Sequence, residues 1–352
     1  MNKILFIITK STVGGAQKFV SEQIEICAQS NNFTCYLATS EKGWIEEKSG
    51  QLIEDTFYSK KILSRTSLSV IINLRKFIKQ NDIGLVVCNS ANGGLYGRLA
   101  GALAGINSIY VSHGWSSVYN GGLLSVVLNK VEYILSKVGT KVLCVSQGDY
   151  NIGKNVIKVP FAKLEHINNA ILPVPISKKK KAGFRKTVFT LARFVPPKRY
   201  DIIVQALKLI PDIDAHLFGE GELKKGVEAF SKKQNIKNVF FKGEVKQFSD
   251  FLLYDVFLLI SDSEGLPMSA IEAMSAGRPL VLSNVGGCPS LINENGVCVN
   301  NTPESIAAGI KECFIHYDKY SANSLEMFHR KFNLKQRKGE FLNLYERTIK
   351  TE

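Results

Sequence analysis

The sequence predicts an α/β protein in which buried parallel strands alternate with helices. Its apolar runs are short and continuous, as in Val256–Ile260, which is typical of strands covered on both faces of a parallel sheet. Such runs are followed by a turn and then by a segment of helical periodicity, for example Lys3–Thr9 and then Phe19–Ser30. The length of 352 residues allows two domains. Together these observations favour two α/β domains in one chain.

A linker-like stretch divides the chain near its middle. Pro173–Lys186 combines two prolines with a run of four lysines and has no helical or strand periodicity. We therefore expect a first domain over 1–170 and a second domain over 171–335. A last helix is predicted over Phe332–Lys350, so that 336–352 forms a separate C-terminal segment.

Composition limits the class of protein. The hydrophobic content of 45% is enough for full cores, but no apolar run is long enough to cross a bilayer. The apolar run near the N-terminus ends at Lys10 and is shorter than the core of a signal peptide. The seven cysteines are scattered and form no paired spacing, which is typical of a reducing compartment. We therefore expect a cytoplasmic protein.

The formal net charge of +14 is shared evenly between residues 1–165 and residues 166–352. A basic surface attracts phosphorylated substrates, anionic lipid or nucleic acid. No basic, aromatic-rich motif of a nucleic-acid-binding domain is present, so nucleic acid is not an expected partner. Lysines that only keep the protein soluble would give the same excess of positive charge.

The most informative stretch is Ser261–Ile292, a predicted strand–turn–helix unit with two glutamates. Glu264 lies in the turn at the carboxyl end of a strand. Pro267 is predicted at the first helical position, Glu272 lies two turns into the helix, and Gly277 ends it. Free amides and the helix dipole make such a helix N-terminus a site for anions.

The spacing Glu264-x7-Glu272, set between Gly-Leu-Pro and Ala-Gly-Arg-Pro, resembles the signature of family 4 retaining glycosyltransferases. The resemblance implies the GT-B fold, in which two Rossmann-like, doubly wound domains face each other across a cleft and a C-terminal helix crosses back to the first domain. It also implies a nucleotide-sugar donor, for which a UDP-sugar is expected, and retention at the anomeric carbon. Read without the family, the stretch is an ordinary βαβ unit with two surface glutamates.

Arg193 and Lys198 match the cation pair with which this family binds the donor diphosphate. Two cations on one loop can stabilise a departing diphosphate. Ala192 and Arg199 replace glycines of the family pattern, so the match is incomplete. The alternative is that both cations are solvated surface charges.

The resemblance gives the two glutamates different roles. It implies that Glu272 accepts hydrogen bonds from the ribose hydroxyls, since a carboxylate only accepts and a diol donates. It implies that Glu264 contacts sugar hydroxyls or opposes the oxocarbenium-like charge, and does not act as a covalent nucleophile. Further donor-binding positions follow from the same resemblance: Gly219, Gly243, Gly265, Leu266, Met268 and Ser269.

The first domain contributes three further candidates. Gly14 and Gly15 lie between a strand and a helix, where glycine lets a ligand approach the backbone. His113 follows a strand and precedes a glycine. The family has a similar Gly-Gly and a similar His-Gly, which implies that these residues face the phosphates and the transferred sugar. A tight turn and a structural histidine are the alternatives.

Two helices with basic residues are candidates for contact with an anionic membrane surface. They are predicted over Ser64–Asn81 and Gly122–Val138, and both have an apolar side. Packing of that apolar side against the protein core is the alternative interpretation. The membrane interpretation places the protein at the inner face of the cell membrane as a peripheral protein.

These inferences lead to one main hypothesis and two alternatives. The main hypothesis is a retaining glycosyltransferase that acts on a lipid-linked or glycan acceptor in surface polysaccharide synthesis. It needs no cofactor, and no clustered Asp, Glu or His indicates a metal site. The alternatives are a sugar-nucleotide epimerase or hydrolase of the same fold, and a non-catalytic basic module that binds membranes.

Overall fold

The computed structural model describes residues 1–119, 122–176 and 185–351 and contains two compact units. Met1–Asn169 and Gln336–Glu352 form the first unit, and Ala170–Lys335 forms the second. The lysine run of the predicted linker falls in residues 177–184, outside the described residues.

The first unit is built on a parallel sheet of seven strands. In chain order they are β1 Asn2–Ile7, β2 Phe33–Thr39, β3 Ile53–Tyr58, β4 Leu85–Cys88, β5 Asn107–Ser112, β6 Lys141–Cys144 and β7 Leu164–His166. Across the sheet the order is β3-β2-β1-β4-β5-β6-β7, with parallel pairing throughout. The sequence did not predict β3 and β7, because β3 mixes polar and apolar residues and β7 has only three residues.

Eight helices belong wholly or mainly to this unit in the described residues. They are α1 Gly15–Gln29, α2 Trp44–Ser49, α3 Leu68–Gln80, α4 Ala91–Ala104, α5 Ser116–Tyr119, α6 Ser125–Val138, α7 Gln147–Ile152 and the C-terminal helix Leu334–Ile349. The C-terminal helix packs on the first sheet: the ring of Tyr345 lies 6.2 Å from that of Phe6. The Tyr345 hydroxyl donates a hydrogen bond to Gln23 of α1 at 2.8 Å. These contacts hold Gln336–Glu352 in the first unit.

The two helices proposed for membrane contact differ in how they pack. In α3, Val70, Leu74 and Ile78 are buried, so its apolar side belongs to the core. In α6, among its described side chains, only Leu135 and Ser136 are buried. The interpretation as a core-facing helix therefore holds for α3, whereas in α6 the predicted apolar residues Val127, Val131 and Ile134 are exposed. Within the described ranges, no helix is long and apolar enough to cross a membrane.

The second unit repeats the architecture with six parallel strands. They are β8 Thr187–Leu191, β9 Asp214–Phe218, β10 Val239–Gly243, β11 Val256–Leu259, β12 Leu280–Ser283 and β13 Gly296–Val299, arranged as β10-β9-β8-β11-β12-β13. The remaining helices are α8 Tyr200–Lys208, α9 Lys224–Lys233, α10 Met268–Ser275, α11 Pro303–Ile315 and α12 Tyr317–Met327; the C-terminal helix is α13. Two parallel-sheet, Rossmann-like units confirm the predicted α/β fold class.

The predicted helix after Glu264 is α10, and its end is as expected. Gly277 adopts a left-handed conformation with φ of +66°. Its N–H donates to Met274, and the N–H of Arg278 donates to Ala273, which together form a Schellman motif. The predicted place of Pro267 is wrong by one position. Pro267 is the N-cap, with ψ of 114°, and its carbonyl accepts the first helical hydrogen bond.

Candidate active site

The turn that carries Glu264 begins where β11 meets the loop after β8. The N–H of Arg199 donates to Ile260 at 3.0 Å, and the N–H of Asp262 donates to Pro197 at 3.0 Å. Lys198 lies between these two bonds, in a bridge to Ser261. This pairing fixes the Lys198 backbone at the carboxyl end of β11, where ligands bind in open α/β sheets.

Lys198 and Glu264 form an ion pair across this junction. Their side chains are only 18% and 10% exposed, so water screens the pair less than it screens a surface pair. A cation suited to a diphosphate and a carboxylate suited to sugar hydroxyls are thus in direct contact. The structure brings together these two predicted residues.

A hydrogen-bond network that runs from the interior to the surface sets the start of the same turn. The N–H of Ser261 donates to Ser283 Oγ at 2.9 Å, and the Ser283 hydroxyl donates to Asn301 Oδ1 at 2.6 Å. The Asn301 amide then donates to Ser261 O at 3.0 Å and to Asp262 Oδ1 at 2.9 Å. The network joins the carboxyl ends of β11 and β12 to the residues after β13. It leaves the turn little freedom to move away from Lys198.

Two consecutive glycines after β12 pack against the backbone of this turn. Gly286 has φ of +52°, and a β-carbon at this position would overlap the carbonyl oxygen of Glu264. A β-carbon on Gly287 would overlap the carbonyl oxygen of Gly265, to which the Gly287 N–H donates at 3.0 Å. The backbone of Glu264 and Gly265 therefore lies directly on a surface that only glycine can provide.

Arg193 and two of the predicted glycines lie in a second set of joined loops. The Phe194 N–H donates to Glu220 at 2.9 Å, and the Gly219 N–H donates to Gly243 at 2.7 Å. Gly219 has φ of +138°, and a β-carbon there would overlap the carbonyl of Ala192, next to Arg193. Arg193 itself is exposed, and its side chain has no ion-pair partner in the described part of the chain.

Arg199 explains one departure from the family pattern. Its guanidinium donates to Asp201 at 3.0 and 2.8 Å and to both carboxylate oxygens of Asp262 at 3.3 Å. The hydrogen bonds from Arg199 hold the pKa of Asp201 below its usual value. The arginine that replaces a glycine therefore ties the start of α8 to the loop after β11, beside Lys198.

The N-terminus of α10 completes this side of the site. No side chain caps the helix in the described structure, and Leu266, Met268 and Ser269 at its start are partly exposed. Glu272 lies in the second turn and is also partly exposed. An uncapped helix start favours an anion, and a carboxylate one turn later can accept from hydroxyl groups.

In the first unit, His113 lies at the carboxyl end of β5. Its Nε2 lies 3.3 Å from Asn89 Oδ1, and Asn89 follows the neighbouring strand β4. The ring packs against Phe19 of α1 in an edge-to-face arrangement, with ring centroids 4.9 Å apart. Gly14 and Gly15 lie at the start of α1, with Gly14 as its N-cap. The structure thus places the three first-unit candidates around one end of this sheet.

Burial lowers the pKa of His113 from 6.5 to about 4. The folded protein therefore keeps this imidazole neutral while the unfolded chain takes up a proton below pH 6.5. Because the unfolded state then binds more protons, this residue lowers the folding stability as the pH falls from 6.5 towards 4, and the loss is complete below the folded pKa.

NMR titration of the His113 ring should give a midpoint near 4, well below the midpoints of exposed histidines. The variant His113→Gln should lose less folding stability than the parent between pH 7 and pH 5, measured by chemical denaturation. A ring that titrates near the ordinary value of histidine would contradict the buried, neutral state.

Sequence reasoning missed four residues that hold these candidates in place. Asn89 and Phe19 contact His113. Gly286 packs against the backbone of Glu264, and Asn301 donates hydrogen bonds to the turn. Asn89 follows a strand as His113 does, which is a usable signal. The contacts of the other three depend on which strands and helices are neighbours in space.

The fold and the glutamate unit at the end of β11 define a glycosyltransferase of the GT-B fold. The family model "Glycosyl transferases group 1" matches residues 176–323, and the model "Glycosyltransferase Family 4" matches residues 13–173. The chain belongs to this glycosyltransferase family, which confirms the resemblance inferred from its motifs.

Among curated proteins, the chain is similar to the O-antigen biosynthesis glycosyltransferase WbnH of Escherichia coli. The two are 36% identical over 327 residues, which is 92% of this chain and 94% of the relative. The chain is also 26% identical to the E. coli UDP-Gal:alpha-D-GlcNAc-diphosphoundecaprenol alpha-1,3-galactosyltransferase over 76% of its own length and 72% of the relative. Among solved structures, Anabaena HepE in complex with UDP-glucose superposes with a TM-score of 0.78 at 18% identity, covering 97% of this chain and 99% of that chain.

Proposed function

We propose that this glycosyltransferase moves a sugar from a UDP-sugar to a lipid-linked glycan acceptor during synthesis of O-antigen or another surface polysaccharide. The observation that carries the proposal is the contact of Lys198 with Glu264 beside the N-terminus of α10. The relatives support the choice of substrates. One is named for UDP-Gal and a diphosphoundecaprenol acceptor, and another for O-antigen biosynthesis.

The donor diphosphate takes the place of Glu264 as the partner of Lys198. Arg193, which is exposed, supplies a second cation, and the first amides of α10 supply hydrogen bonds. Negative charge on the diphosphate grows as its bond to the sugar breaks. These groups therefore stabilise the transition state more than the bound substrate, which is the condition for catalysis.

Release from Lys198 leaves the Glu264 carboxylate able to accept from sugar hydroxyls or to oppose the positive charge at the anomeric carbon. In the proposed retaining reaction, the bond from the anomeric carbon to the diphosphate oxygen breaks. The acceptor oxygen bonds that carbon from the same face, and the acceptor proton passes to the departing diphosphate. Glu272 binds the ribose, and a neutral His113 offers a hydrogen bond to the transferred sugar.

The proposed reaction requires no metal or other cofactor. Lys198, Arg193 and the start of α10 supply the positive charge that a divalent ion supplies in other phosphate-transfer sites. Transfer should therefore continue in the presence of a chelator. We also propose a cytoplasmic location at the inner face of the membrane, where a lipid-linked acceptor is accessible.

A transfer assay with UDP-Gal, UDP-Glc and UDP-GlcNAc, a diphosphate-linked lipid acceptor and excess EDTA tests the proposal. The variant Glu272→Gln should raise the KM for the donor by about tenfold or more, because a hydrogen bond to a charged group contributes about 1.5–3 kcal/mol. Its KM for the acceptor should stay unchanged.

Two outcomes of this assay would contradict the proposal. Consumption of the donor at full rate without acceptor would indicate an epimerase or hydrolase. Loss of transfer in EDTA, restored by a divalent ion, would show that the cations of the chain are not sufficient.

A further inference from the structure

Helix α6 exposes an apolar stripe to solvent. Five aliphatic side chains are between 39% and 65% exposed, and they recur every three or four residues, so they lie along one side of the helix. They are Leu124, just before the helix, and Val127, Val131, Ile134 and Val138. An aliphatic stripe of this length is costly in water unless something covers it.

The segment after β6, residues 153–163, adds exposed apolar side chains next to α6. Residues 153–157 pack beside α6, and the Lys163 ammonium donates to the carbonyls of Lys137 and Gly139 at 2.6 Å each. The turn at the end of α6 therefore stays close to this segment. Within it, Val156 is 46% exposed and Phe161 is 74% exposed. An exposed phenylalanine thus lies near the end of the aliphatic stripe.

The charges around the stripe are almost all positive. Lys130 and Lys137 of α6 are exposed, and so are Lys154 and Lys158 of the following segment. The only acidic residue in 122–138 and 150–163 is Glu132. Its side chain is 13% exposed and pairs with the buried Arg98 at 2.9 Å. No outward-facing carboxylate in these segments therefore offsets the lysines.

We propose that this surface, which consists of the α6 stripe, Val156, Phe161 and the four exposed lysines, docks on an anionic lipid bilayer. A helix with an apolar side and flanking lysines lies in the headgroup region, where the aliphatic groups leave water and the ammonium groups meet lipid phosphates. The charges favour lipid over a second copy of the chain, because a symmetric contact would bring two sets of lysines together.

This inference extends the proposed function, since a lipid-linked acceptor is presented at a bilayer, but its test does not require transfer. The full chain should sediment with vesicles of equal parts phosphatidylcholine and phosphatidylglycerol, and much less with phosphatidylcholine alone. The variant Val127→Asn/Ile134→Asn should lower the partition coefficient by about tenfold or more, because burial of one such side chain in an apolar phase contributes about 1.5–3 kcal/mol.

The matched control is Leu209→Asn/Ile315→Asn, which removes two exposed aliphatic side chains from the second unit. It should leave partition unchanged. The variant Lys130→Gln/Lys137→Gln should weaken partition by about fivefold for each lysine, and added salt should reduce the difference. Lys225→Gln/Lys232→Gln on α9 carries the same charge change and should have no effect.

Three results would overturn the inference. The first is a parent protein that does not bind anionic vesicles. The second is an equal loss of binding in the variants of this surface and in the control variants. The third is a dimer in light scattering that Val127→Asn/Ile134→Asn converts to a monomer, which would make the stripe a contact between copies. Transfer to a short-chain, water-soluble acceptor should be the same in patch variants and parent. Failure of docking is thereby distinguishable from failure of the proposed activity.

Discussion

Replacement of Lys198 by methionine is expected to lower kcat for sugar transfer by about 100-fold to 1000-fold, the usual effect of removing one group that stabilises transition-state charge. Methionine keeps most of the aliphatic length of lysine, so the loop after β8 retains its packing. The loss should fall on kcat more than on the donor KM, because the charge on the departing diphosphate is greatest as the bond breaks. Initial rates at several donor concentrations separate the two effects.

The same variant leaves the Glu264 carboxylate, only 10% exposed, without its cation. Folding stability should therefore fall as well, and a control must separate this loss from catalysis. Lys141→Met removes a lysine from a pair with Glu165 of similar exposure, at 21% and 20%, in the first unit, and Arg347 remains as a second cation on Glu165 at 2.7 Å. It should lower stability less than Lys198→Met does, because Glu165 keeps Arg347, and it should leave transfer to a water-soluble acceptor intact. Equal activity of the two variants would remove Lys198 from the proposed mechanism.

The sequence predicted the structure correctly where an element depends on residues that are neighbours in the chain. The apolar run before Glu264, the helix after it and the stop at Gly277 each depend on neighbouring residues, and all three are present. Pro267 was misplaced by one position, because the first turn of a helix and its cap place similar demands on proline.

The sequence was insufficient where a contact joins separate elements. Gly286 lies under Glu264 because β12 pairs with β11, and nothing in the local pattern specifies that order of strands. The contact of His113 with Asn89 has the same origin, in the pairing of β5 with β4. Helical periodicity identified an apolar side on α6 but could not show that this side faces solvent.

The variant Gly286→Ala is expected to reduce both the folding stability and the rate of sugar transfer. The left-handed conformation at φ of +52° costs alanine about 1–2 kcal/mol. In addition, the new β-carbon would overlap the carbonyl oxygen of Glu264, so the backbone of the turn must move. A displacement of about 1 Å in a catalytic group can reduce the rate by about 100-fold. Thermal unfolding and the transfer rate should therefore both be reduced.

The variant Gly277→Ala separates the effect of backbone strain from the effect of displacing the Glu264 turn. Gly277 has a similar φ of +66°, but the atoms nearest to its β-carbon would be side-chain atoms of Leu325 and Ser321, at 3.0 Å or more. Flexible side chains can move by a few tenths of an ångström, whereas a backbone carbonyl held in a hydrogen-bonded turn cannot do so independently. Both variants should lose stability from backbone strain, but only Gly286→Ala should lose most of its transfer rate in the folded state. If both retain full activity per folded molecule, the position of the Glu264 turn does not control the reaction.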